Sequence, residues 1–141
     1  MRNMKRVSLL LTLITISLIF TVNVSANSSY YSSVQQICNA YQVSVEYERM
    51  NLATLADGNK EFTMSVKSAR NQFDRIMLIG FYAAGKAMTY HNEPIQKVTV
   101  VVSVEYKGIE NIVASASKEN ILKFVNGEIT SSEFVRRVKF D

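Results

Sequence analysis

The stretch from Phe62 to His91, FTMSVKSARNQFDRIMLIGFYAAGKAMTYH, decides how the rest of the chain is read. Phe62, Val66, Ala69, Phe73, Met77, Gly80, Ala84 and Met88 recur at steps of three or four, the spacing that puts apolar side chains on one helical face. The pattern predicts one long helix. It begins after the turn signal Asp57-Gly58-Asn59 and stops near His91-Asn92, because Pro94 cannot continue a helix and disfavours helical geometry at Glu93. Ile76 to Gly85 carries no charge and is almost wholly apolar, so the middle of this helix should be buried on several sides, yet it is too short to cross a bilayer. Gly80 and Gly85 each cost a helix interior about 1 kcal/mol relative to Ala, which close approach of another element would offset.

Upstream, Val34, Ile37, Cys38, Tyr41, Val45, Leu52, Leu55 and Ala56 also follow helical spacing and predict a helix over 34–56. The alternative is a strand over 41–47, where Tyr-Gln-Val-Ser-Val-Glu-Tyr alternates strictly and is rich in β-formers. With the helix, Val43, Tyr47 and Met50 form a second apolar face in need of a partner. Downstream, Val98, Val100, Val102, Val104 and Tyr106 alternate as a strand, Lys107-Gly108 makes a tight turn, and Ile109 to Ser115 returns antiparallel. Ser117 caps a short helix reaching Val125. Gly127 stops it, and Thr130-Ser131-Ser132-Glu133 has capping-box spacing for a last helix through Val138. The predicted fold is therefore α+β: two longer helices, a β-hairpin and two short C-terminal helices, in one small domain over 27–141.

Residues 1–26 precede that domain as a signal peptide. Arg2, Lys5 and Arg6 make a positive head, Val7 to Val24 is uncharged, and Val24-Ser25-Ala26 offers small residues for cleavage. Ser8, Thr12, Thr15, Ser17, Thr21 and Asn23 interrupt the apolar run, which favours cleavage over an uncleaved membrane anchor. The expected location is extracytoplasmic, secreted or periplasmic, with a membrane-anchored form as the alternative.

Loss of this segment takes three of the 16 basic residues and none of the 12 acidic ones, so the formal charge falls from +4 to near +1. The positive excess expected of a nucleic-acid binder does not survive. One Cys and one His exclude a disulfide framework and the usual zinc ligand sets. No glycine-rich phosphate loop, serine elbow or dinucleotide fingerprint occurs, and no cofactor is implied. Cys38 with His91 is the one nucleophile–base pair the composition allows, the basis of an alternative reading as a small Cys-dependent hydrolase. An apolar setting for Cys38 argues for an inert thiol instead.

Two resemblances touch the C-terminus. Asn126-Gly127-Glu128-Ile129-Thr130 with Glu133-Phe134 resembles the second half of an EF-hand calcium loop, but Leu122 and Phe124 stand where the first oxygen ligands belong. The stretch from Ile121 to Phe134 is similar to the short C-terminal module called SHOCT, a resemblance that implies an interaction or oligomerisation tail. The same residues also fit a generic pair of short helices. Arg136, Arg137 and Lys139 read as cations at a helix C-terminus. The resulting expectation is a non-enzymatic binding or assembly protein, with a homo-oligomer or protein partner, no nucleic acid, and membrane contact only through an uncleaved leader. Val43, Tyr47, Met50 and Phe134 are its candidate interface residues, and seven tyrosines suit such a surface.

Overall fold

The structure is a computed structural model and describes residues 27–105 and 107–141. The leader over 1–26 and Tyr106 lie outside the described residues. A helix, α1, covers 27–40. It is followed by a 3-10 turn (Tyr47–Arg49), β1 (Met50–Thr54), β2 (Lys60–Ala69), a second 3-10 turn (Arg70–Gln72) and α2 (Phe73–Tyr90). The chain continues through β3 (Ile95–Glu105), β4 (Ile109–Ser117), α3 (Lys118–Val125), α4 (Ser131–Arg137) and β5 (Lys139–Phe140). The strands form one sheet in chain order. β2 and β3 are parallel and joined by the α2 crossover, and the remaining neighbours are antiparallel. The class is α+β, and none of the described helices is long and apolar enough to cross a membrane.

The helix predicted over 34–56 ends at residue 40. Cys38 O accepts from the N–H groups of both Tyr41 and Val43, and Gln42 takes a positive φ of 62°, which turns the chain out of the helix. The strand alternative over 41–47 does not form either, since 43–46 joins no ladder. Its alternation is nonetheless real: Val43 and Val45 are buried while Ser44 and Glu46 face out.

The helix predicted from Phe62 is a strand for its first eight residues. Phe62, Met64 and Val66 are buried at spacing two, and Thr63, Ser65 and Lys67 face away from the core. The steps from Phe62 to Val66, Ala69 and Phe73 imitate helical spacing, but β3 supplies a ten-residue parallel ladder from Lys60 to Ala69 that no helix could use. Helix begins only at Phe73. The two-residue strand β5 was also unforeseen.

α2 lies on the inner face of the sheet. A Cβ built on Gly80 would come within 3.1 Å of Val100 Cγ1, and one on Gly85 within 2.5 Å of Ile121 Cγ2 in α3, so both glycines mark close approaches. α1 packs on the same side. Tyr30 is fully buried, donates its hydroxyl to Ala84 O at 2.9 Å and sets its ring edge-on to Phe62. Phe134 of α4 stacks on Phe124 and meets Phe81 edge-on. Ser117 Oγ accepts from Asn120 N and Thr130 Oγ1 from Glu133 N, the two helix caps read from the sequence. On the outer face Thr63, Ser65, Val101, Ser103 and Val113 are half-buried, and Thr99 and Ser115 are buried.

Candidate functional site: a cleft beside the open half of β2

The site arises from unequal strand lengths. β1 pairs with β2 only from Thr54↔Lys60 to Met50↔Met64, while β2 continues to Ala69. Before Met50 the chain bends away through the 3-10 turn and the 41–46 loop. That loop is held from three sides: Val43 and Val45 are buried, Gln35 Nε2 donates to Val45 O at 2.9 Å, and Arg75 Nη2 donates to Tyr41 O at 2.9 Å. Between loop and strand lies a cleft of about 730 Å³. Ser44, Glu46 and Arg49 line one side, Ser65, Lys67 and Ser68 the other, and Ser103 and Asn111 extend it across the sheet. A hollow of about 490 Å³ adjoins it at Ala69, Glu105 and Ile109. The cleft flanks the C-terminal half of β2, in the parallel β2–β3 pair.

Its polar chemistry is that of hydroxyls, amides and a few charges, set beside apolar side chains. Arg49 Nε stands 3.7 Å from Glu46 Oε2, and Ser103 Oγ donates to Asn111 Oδ1 at 2.7 Å. Lys67 has no ion-pair partner among the described residues. Neither histidine nor cysteine lines it, so what the cleft offers is hydrogen bonding, one uncompensated cation and the apolar surface of Val43, Val66, Ile76 and Ile109.

Backbone geometry adds donors and acceptors. Met50 N–H is bonded to Tyr47 O, and Leu52 N–H to the Tyr31 hydroxyl at 2.7 Å, so these residues of β1 turn away from β2. Asn51 and Ala53 therefore face Thr63 and Glu61 across the ladder. Because successive residues turn their N–H and C=O to opposite edges, Ser65, Lys67 and Ala69 direct theirs to the same side, where β1 is no longer present. Among the described residues no backbone–backbone hydrogen bond is formed there, and the Ala69 carbonyl accepts from Ser68 Oγ at 2.7 Å.

The residues singled out from sequence lie elsewhere. Val43, Met50 and Phe134, read from the sequence as candidate interface residues, are buried in the core: α1 stops at residue 40 and the second apolar face is closed within the chain. Of the four, Tyr47 alone keeps substantial exposure, 37%, with its ring edge-on to Tyr31. Cys38 is fully buried, and desolvation pushes its thiol up to about 12. It sits near the end of α1. His91 instead meets Ser33, five residues earlier, with Ser33 Oγ 2.7 Å from His91 Nε2. Cys38 and His91 are thus not brought together as nucleophile and base. The EF-hand-like stretch is a helix stop: Gly127 has φ 74° and Glu128 N donates to Lys123 O at 2.8 Å. Among the described residues no three His, Cys, Asp or Glu side chains gather in a metal-holding group.

Ser65, Lys67 and Ser68 were missed because 62–69 was read at helical period. The alternation of Phe62, Met64 and Val66 with polar residues was the signal that could have found them. Comparison of the chain with known protein families, curated proteins and solved structures yields no match.

Proposed function

We propose that the protein is exported by a cleaved leader over 1–26 and acts outside the cytoplasm as a non-enzymatic binding or assembly module, holding its partner in the cleft beside β2. The observation that carries this reading is the cleft itself: a roomy concavity, fixed by a pinned loop, lined by hydrogen-bonding side chains and lacking a nucleophile–base pair. The buried thiol of Cys38 and the engagement of His91 by Ser33 speak against the Cys-dependent hydrolase.

The test is a titration of the ¹⁵N-labelled protein with two probe sets, short extended peptides and neutral oligosaccharides, followed by amide shifts. The reading expects shifts centred on Ser44, Ser65, Lys67 and Ser103 for one set. Shifts confined to other surfaces, or turnover of either probe, would contradict it. Intact mass of the protein from its host checks the location: a chain starting at Asn27 supports export with cleavage, and one retaining the leader supports the membrane-anchored alternative.

A further inference from the structure

The backbone of β2 narrows what the cleft binds. Ser65 and Lys67 present N–H and C=O groups, and Ala69 its N–H, to an edge that has lost its neighbouring strand, while the Ala69 carbonyl accepts from Ser68 Oγ; the five residues from Ser65 to Ala69 span about 17 Å. An exposed strand edge is a template for another extended chain. On the outer edge of β1 the N–H of Leu52 is taken by the Tyr31 hydroxyl and that of Met50 by Tyr47 O. The unpaired stretch of β2 coincides with the cleft.

We propose that the cleft receives an extended peptide segment of a partner protein, added as a strand along Ser65–Ala69 in the place a longer β1 would occupy, with an acidic side chain set against Lys67. The inference rests on the cleft being the binding site. Shape argues for a peptide over a second copy of this chain. The loop that walls the edge on one copy would meet the same loop on the other if two β2 edges approached, whereas a single extended segment carries no such wall. Charge selects within peptides. Glu46 is engaged by Arg49, so Lys67 leaves the cleft with one unanswered positive charge, and the small hydroxyl side chains Ser44, Ser65 and Ser68 leave room for the peptide's own side chains. Glu105 lines the adjoining hollow together with Lys67, and the two form no ion pair.

The full protein is used to select from a phage-displayed library of random dodecapeptides, and enriched peptides are synthesised. Three results are expected: an acidic residue common to the enriched peptides, slowed amide exchange at Ser65, Lys67 and Ala69 on binding, and a loss of about tenfold in affinity for each edge-facing peptide N–H that is methylated, with alternate positions tolerant. The variant Lys67→Pro removes an edge donor without touching the β3 ladder and should abolish binding. The methylated peptides test the same point on the unaltered protein should that variant not fold. Peptides that shift cleft side chains yet tolerate every methylation overturn strand addition while leaving the cleft as a binding site. Peptides that map to another surface overturn both, and the absence of any enrichment overturns the peptide as occupant.

Discussion

The hydroxyl of Tyr31 accepts the backbone N–H of Leu52 at 2.7 Å, so a side chain of α1 closes the outer edge of β1. One strand further in, the N–H groups of Ser65, Lys67 and Ala69 have no such cover among the described residues. The contrast between a sealed and an unsealed stretch on one side of a single sheet separates scaffold from site.

Tyr31→Phe tests the seal. Removal of the hydroxyl leaves the Leu52 N–H without its protein partner, at a cost of about 1 kcal/mol because water can replace part of the bond. Chemical denaturation should show that loss, with faster amide exchange at Leu52 and little change at Glu61 or Thr63. An unchanged Leu52 exchange rate would mean that the bond does not form in solution.

The two helical glycines should respond differently to Ala. At Gly85 the added methyl would lie 2.5 Å from Ile121 Cγ2 and 2.7 Å from Val125 Cγ2, both on stiff β-branched side chains. Overpacking of this kind costs about 1–3 kcal/mol, against a helix gain of about 1 kcal/mol, so Gly85→Ala should be net destabilising. At Gly80 the nearest contact is 3.1 Å and the two effects come close to cancelling. Thermal midpoints that fell equally for both variants would contradict this packing of α2 between β3 and α3.

Alkaline pH should weaken the fold through Cys38. The unfolded chain releases the thiol proton near pH 9, whereas the folded chain holds it to about 12. The unfolded state thus binds fewer protons in that window. Stability is complete below pH 9 and declines as pH rises toward 12, by about 1.4 kcal/mol per pH unit where only the unfolded thiol is ionised. Tyr30, whose phenol is also raised by burial, adds a loss of the same sign beginning above pH 10. Cys38→Ala should flatten the part that starts at 9. Rapid alkylation of the native thiol at neutral pH would contradict its burial.

Phe134→Ala should act on stability alone. The ring is fully buried between Phe124 and Phe81, and its removal costs about 3–5 kcal/mol by loss of transfer energy and creation of a cavity. Denaturant midpoints would show this at every protein concentration. A fold of unchanged stability with altered self-association would restore Phe134 as an interface residue.

Much of the architecture is local and was legible. The alternating valines of β3, the Lys107-Gly108 turn with φ values of 50° and 137°, and the caps at Ser117 and Thr130 each depend on residues within a few positions of one another. β2 was not legible in the same way. Phe62 and Val66 satisfy period two, with Met64, and a helical period, with Ala69, at once, and the choice is made by β3, whose pairing residues lie more than thirty positions away. The cleft is one step less visible again, because it comes from β1 stopping at Met50 while β2 runs on to Ala69. That mismatch is set where Gln42 turns the chain out of α1, a conformation no motif announces.

Native-state amide exchange along β2 in the unliganded protein tests the open edge most directly. The N–H groups of Val66 and Ser68 point into the β3 ladder and should exchange slowly, while those of Ser65, Lys67 and Ala69 should exchange close to the rate of unstructured chain. Uniform protection from Ser65 to Ala69 would show that another segment already occupies the edge, and the binding cleft would have to be abandoned.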